Sequence, residues 1–158
     1  MIIRKGTAED ISQLIQFLHD FAEYYRKNNI ISPELAPFEV YKNKDDYFAR
    51  VVESYFDKQK HIFVAEVNGR LIGYIFGYAK ERPGRLLNKK GIVEDWFVAD
   101  NYRNTGIGKK LLAFLIKEFK NENCNVLSIC AFASHKETIS KYRQMGFVDM
   151  DLTLVKKI

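Results

Sequence analysis

Two residues, Asn68-Gly69, restrict what this chain can become more than any others. They separate a pair of runs rich in β-branched and aromatic side chains, HIFVAEV and RLIGYIFGYA. An Asn-Gly pair tolerates the two positive φ angles of a type I′ turn, whose twist matches that of paired strands. The spacing therefore predicts a tight β-hairpin. An antiparallel sheet lies near the middle of the chain, and every other element must pack around it.

MIIRK predicts a short first strand. Thr7 with Asp10 three residues on is a capping-box pattern, followed at helical spacing by Ile11, Leu14, Ile15, Leu18, Phe21, Ala22 and Tyr25. Residues 28–44, with Pro33 and Pro37, read as a loop. From Asp45, DDYFARVVESYF predicts a second helix with Val51, Val52, Tyr55 and Phe56 inward. ERPGRLLNKKG turns the chain into another strand, IVEDWFV. Beyond Gly106 a helix carries Ile107, Leu111, Leu112, Leu115 and Phe119 on one face. NVLSICAF reads as a strand, HKETISKYRQM as a helix closed by Gly146 at C′, and FVDMDLTLVKKI as closing strand material. Without repeat, linker or low-complexity segment, residues 1–158 read as a single domain with one sizeable core.

Apolar residues at 47% and charged ones at 28% describe a soluble globular chain. The hydrophobic runs are too short to span a bilayer, and MIIRKGTAED lacks the apolar core of a signal peptide. These features predict a cytoplasmic protein with no membrane partner. Cys124 and Cys130 offer no disulfide framework, and both read as reduced thiols, Cys130 inside its strand. His19, His61 and His135 have no metal-ligand spacing to one another or to the cysteines, so no metal is expected.

Between the strand ending at Val98 and the next helix lies DNYRNTGIGKKLL. It is not a nucleotide P-loop, because the position five before Gly108 is Arg103. Nor is it a dinucleotide fingerprint, because the third glycine would fall at Leu111. The underlying physics still favours an anion: the first N–H groups of a helix lack intrahelical partners, and Gly106 and Gly108 leave the backbone bare. A simple glycine turn into a helix, with solvated lysines, explains the same residues. Residues 1–60 carry nine Lys/Arg against ten Asp/Glu and residues 61–158 sixteen against ten, so the basic surplus travels with the glycine stretch; nucleic acid, an anionic small ligand and plain solubility each account for it. The basic cluster Lys80, Arg82, Arg85, Lys89 and Lys90 does not join that stretch. It precedes the strand that the glycines follow, which at ~3.3 Å per residue puts the two roughly 25 Å apart.

VADNYRNTGIGKKLL resembles the pyrophosphate-binding segment of the GNAT superfamily of N-acetyltransferases, Arg/Gln-x-x-Gly-x-Gly/Ala, through Arg103, Gly106 and Gly108. KYRQMGF resembles that family's aromatic-Tyr-x-x-x-Gly-Phe segment, with Lys141 in the aromatic place. The element order agrees over essentially the whole chain. Within the superfamily EDWFVADNYRNTGIG is most similar to the polyamine and thialysine acetyltransferase branch, although Asn104 stands where that branch usually has glycine. The resemblance implies an α/β (α+β) fold with a mixed, mostly antiparallel sheet of six to seven strands and about four flanking helices. It implies acetyl-CoA as cosubstrate, entering where strands 91–98 and 125–131 splay apart. Trp96, Phe97 and Val98 would then offer backbone groups to the pantetheine arm, and Arg103, Asn104, Thr105, Gly106, Ile107, Gly108 and Lys109 would wrap the pyrophosphate. His135 stands where the branch has a cofactor-contacting asparagine. The superfamily also often forms homodimers.

Acetyl transfer to an amine needs a base for the ammonium and an acid for the departing thiolate. Glu94 and Asp95 lie mid-strand, where alternation sends them to opposite faces. By resemblance Glu94 is the base, whereas a salt-bridged pair at the sheet surface is the plain structural reading. Tyr142, three residues after Ile139, reads from composition as a core tyrosine, and by resemblance as the acid. A Cys130–His135 nucleophile lacks an orienting third group. The resulting expectation is an N-acetyltransferase in which a primary amine, from a small molecule or a protein, attacks directly in a ternary complex. The acceptor would approach from the first two helices and the loop 28–44. A non-catalytic acyl-CoA-binding module and a basic nucleic-acid-binding domain are the rivals. Glu94 and Tyr142 argue against the first, and the lack of a recognition helix or RNA-binding aromatic signature argues against the second.

Overall fold

The computed structural model describes residues 1–156 apart from 29, 32, 40 and 58, with the backbone alone at 37 and 38. Residues 29, 32 and 40 of the predicted loop, and 157 and 158 of the predicted last strand, lie outside it. The Asn68-Gly69 turn forms as expected, with φ of 50° and 77°. It joins β2 (Lys60–Val67) to β3 (Arg70–Glu81). β1 (Ile2–Lys5) pairs antiparallel with β2, and β4 (Lys89–Val98) pairs antiparallel with β3. β5 (Val126–Ile129) lies parallel to β4 at the edge, giving the order β1-β2-β3-β4-β5.

Asp10 does two jobs at the start of the first helix. It accepts the Thr7 backbone N–H at 2.8 Å and takes both terminal nitrogens of Arg4, at 2.7 and 2.8 Å. A single 3₁₀ turn at Ala8–Asp10 then leads into α1 (Ile11–Lys27). The predicted loop contains one short helical turn, α2 (Ala36–Glu39), before α3 (Lys44–Ser54). α1 and α3 cover one face of the sheet, with Leu14, Phe17, Val52 and Tyr55 against Tyr74, Phe76 and Phe97. α4 (Ile107–Asn121) covers the other, with all five of its predicted inward residues buried against Phe63, Ile75 and Val93. Burying a side chain of this size contributes about 1.5–3 kcal/mol, so the two faces together hold the sheet. Phe119 lies directly on the strands, because a Cβ on Gly91 would meet its ring at 2.3 Å.

The sheet has five strands among the described residues, one or two fewer than expected. Residues 147–156 form no strand. Their alternation is real, with Val148, Met150, Leu152 and Leu154 all exposed, but a strand also needs a hydrogen-bonding neighbour, and the described chain supplies none. The predicted strand through Cys130 stops at Ile129, which leaves Cys130 exposed outside the ladder. α5 (Lys136–Gln144) follows and ends at Gly146, whose φ of 90° fits the C′ role.

Candidate active site

The β3–β4 ladder slips by one residue: Phe76 faces Asp95, Gly77 faces Val93, and Glu94 is the extra residue of a β-bulge. The bulge overturns the expected alternation. Asp95 meets Tyr74 and Glu94 lies beside Tyr78, two residues of β3 that share a face, so both carboxylates are on the α1–α3 side. Asp95 Oδ2 accepts from the hydroxyls of Tyr55 at 2.6 Å and Tyr74 at 2.8 Å. Burial raises the Asp95 carboxyl above its ordinary value, partly offset by those two phenols and the Trp96 N–H. Glu94 remains exposed.

The bulge also marks where the sheet opens. β4 and β5 pair from Lys90↔Val126 to Val93↔Ile129 and no further. Beyond that point residues 94–98 of β4 have no ladder partner on the β5 side among the described residues, and Trp96, Phe97 and Val98 lie along the gap. Tyr142 of α5 reaches the same gap and stacks on Trp96, with centroids 5.8 Å apart and planes 8° from parallel. Burial, Tyr25 and Asp95 all push its phenol well above the usual range, so the hydroxyl keeps its proton at neutral pH.

Tyr25 is a site residue that helical spacing placed only on a helix face. It leaves α1 to sit 5.3 Å from the Phe132 ring and 5.8 Å from His135, and it shares the fields of Tyr142 and Asp95. Burial and Asp95 push its hydroxyl up to about 12. No local signal in α1 points to this role, because these partners come from 70 to 117 residues later. His135 caps the start of α5, with burial lowering its pKa, and its buried Nδ1 has no partner among the described residues.

At the end of β4 the glycine stretch forms a loop with two left-handed residues, Asn104 at φ 62° and Gly106 at φ 86°. The first backbone N–H of α4 with a carbonyl partner is that of Lys110, on Gly106 O at 3.1 Å. The N–H groups of Asn104, Thr105, Gly106, Ile107, Gly108 and Lys109 have no acceptor among the described residues. A helix start of this kind attracts an anion through its donors and its dipole. Space above Gly106 is open, since a Cβ there would meet nothing within 4 Å. Asn104, Thr105 and Lys109 are exposed beside it, and Ile107 is buried as the helix's anchor.

Arg103 braces this loop from behind. Its Nε donates to Val98 O at 3.0 Å, its Nη2 pairs with Asp100 at 2.8 Å, and the guanidinium lies 4.1 Å from the Tyr24 ring. A depression beside it is lined by Asp20, Glu23, Tyr24, Lys27 and Asp100 over Phe97 and Ala99, with Lys27 paired to Glu23 at 3.1 Å. The unbonded amides and the separated strands suit a pyrophosphate joined to an extended amide-bearing arm. Lys80, Arg82 and Arg85 sit at the far hairpin end of β4, away from all of this.

A family model described as "Acetyltransferase (GNAT) family" matches residues 16–147. An N-alpha-acetyltransferase of Sulfurisphaera tokodaii is 29% identical over 154 residues, covering 94% of this chain and 80% of that protein. The ribosomal-protein-alanine N-acetyltransferase of Brucella melitensis biovar Abortus 2308 is similar in structure, with a TM-score of 0.71, 19% identity and all of both chains covered. The aminoglycoside N-acetyltransferase AAC(6')-Iy in complex with CoA has a TM-score of 0.72 at 14% identity, covering 99% of this chain and 93% of that one. At these identities the two structural likenesses are of fold.

Proposed function

The chain belongs to the acetyltransferase (GNAT) family, and on that premise we propose that it transfers an acetyl group from acetyl-CoA to a primary amine in a ternary complex. The observation that carries this reading is the opening of β4 from β5 beside six unbonded amides at the start of α4. Asn104 to Lys109 hold the pyrophosphate, with Arg103 keeping their loop in place. Trp96, Phe97 and Val98 offer backbone groups to the pantetheine arm, and His135 closes the site from the start of α5.

The acceptor ammonium gives up a proton through Glu94, directly or by way of water. Its nitrogen bonds to the thioester carbonyl carbon, the carbon–sulfur bond breaks, the Tyr142 hydroxyl protonates the departing thiolate, and the second proton shed by the nitrogen as the amide forms returns to the Tyr142 phenolate. Burial supports the acid role, because Tyr142 stays protonated where it is needed. A cationic acceptor fits best. Glu94 and Asp95 on one face put two carboxylates on the α1 side of the gap, with no cation paired to either among the described residues. Polyamine-like amines satisfy that chemistry, and so does a protein N-terminus or lysine.

A cytoplasmic location belongs to this reading, supported by two unpaired thiols, Cys124 and Cys130. So does a homodimer: the exposed apolar positions of residues 148–154 and the outer edge of β5 are present in every copy and can satisfy each other symmetrically.

The test is Tyr142→Phe, assayed by thiol release over a panel of amines and peptides. Turnover should fall about 10²-fold while acetyl-CoA affinity holds. Full activity in a folded variant would reject the acid. No turnover by the native chain on any amine, despite tight acetyl-CoA binding, would favour a binding module.

A further inference from the structure

Gly108 occupies the second position of α4, within the segment assigned above to phosphate. Its nearest neighbour, however, is an indole. A Cβ built on Gly108 would lie 3.1 Å from Cζ2 of Trp96 and 3.5 Å from its Cε2 and Nε1. Gly106 is different, having open space around it and a positive φ that by itself calls for glycine. The two glycines of the motif therefore answer to different constraints.

The same indole carries Tyr142, stacked within 8° of parallel at 5.8 Å between centroids. Tyr142 is half-buried on nine-residue α5, none of whose residues is fully buried. Its hydroxyl has no hydrogen-bond partner among the described residues, so ring packing alone sets where the oxygen points. Its ring contacts are with Trp96 and, tilted, with Phe147 at 5.9 Å. One indole thus spans the first turn of α4 and α5.

We propose that the Trp96 side chain is the positioning residue for Tyr142, and that Gly108 is glycine to seat that indole. The inference rests on Tyr142 being the acid. A proton donor must meet the departing sulfur at hydrogen-bond range, and a misplacement of about 1 Å can reduce turnover 10²-fold. Trp96 prevents that misplacement, and its indole is itself seated against Gly108 at the start of α4.

The test uses Trp96→Ala, Trp96→Phe, Gly108→Ala and the Gly108→Ala/Trp96→Phe double variant. Each is measured for kcat, for acetyl-CoA Kd and for melting. Trp96→Ala should lower kcat by about 10²-fold with acetyl-CoA Kd little changed, and Trp96→Phe should recover most of the loss. Gly108→Ala should lower kcat about tenfold in the native background and less than about twofold beside Trp96→Phe, whose smaller ring clears the added methyl. The double variant keeps the test open even if Trp96→Ala fails to fold. An equal cost of Gly108→Ala in both backgrounds, or a cost confined to acetyl-CoA Kd, would overturn the proposal and return Gly108 to the phosphates. Trp96→Ala in a Tyr142→Phe background separates the two ideas. Little added loss supports action through Tyr142, and a full added loss refutes it. Unimpaired Tyr142→Phe, by contrast, would reject the acid itself.

Discussion

Replacing Tyr55 by Phe removes one hydroxyl and keeps the ring, which stacks on Phe76 at 4.0 Å. The hydroxyl lies 2.6 Å from Asp95 Oδ2, in the core face where Tyr55 itself is only 2% exposed. A hydrogen bond to a buried charge is worth about 1.5–3 kcal/mol, so the loss should be about 2 kcal/mol at neutral pH. For a chain of this length that lowers Tm by roughly 4–8 °C. The effect should depend on pH in one direction. Burial holds the folded Asp95 carboxyl above its ordinary 3.8, so its contribution is fully present below that value and is lost as pH rises through the folded one. The phenols soften that loss by stabilising the ionised form. Without Tyr55 the carboxyl rises further, so the variant should trail the native chain most at high pH and least in acid. Urea melts from pH 4 to 8 would show this. A penalty that is flat with pH, or below about 0.5 kcal/mol at pH 8, would mean that Tyr55 does not serve an ionised Asp95.

Gly91→Ala should destabilise by about 1–3 kcal/mol, because its methyl would enter the Phe119 ring at 2.3 Å; an unchanged melting temperature would refute that seating. Arg4 and the Thr7 N–H hold the Asp10 carboxyl below its ordinary value, so its stabilisation is present above 3.8 and fades as pH falls through the folded value. Asp10→Asn should therefore cost about 1–3 kcal/mol at pH 7 and flatten the acid limb of the stability curve, and an unaltered limb would place that sensitivity elsewhere. Arg103→Lys should weaken acetyl-CoA binding by about tenfold in calorimetric titration, since an ammonium cannot reproduce the bonds to Val98 O and Asp100 together with the Tyr24 stack. Native-like affinity would remove Arg103 from the loop's support. Acetyl-CoA at ~100 times its Kd should add roughly 2.7 kcal/mol of stability, and an unmoved melting curve would count against the whole site.

The sequence by itself determined the elements whose causes are local. Asn68-Gly69 specified its hairpin because its two residues accept positive φ, and the 3.6-residue spacing of Ile107, Leu111, Leu115 and Phe119 specified the buried face of α4. The glycine stretch was legible as a bare helix start for the same reason. What tertiary structure alone decided depended on registers and meetings between distant segments. Alternation could not foresee the bulge at Glu94, since a strand slips only against a particular neighbour, and that slip put Glu94 and Asp95 on one face. The β4–β5 ladder ends at the same point, and Cys130 lies just beyond its strand. Tyr25 came within the electrostatic reach of Tyr142, 117 positions later, beyond any spacing pattern. The alternating residues 148–154 had the periodicity of a strand but met no partner, because side-chain pattern sets which face a strand shows and backbone pairing decides whether there is one.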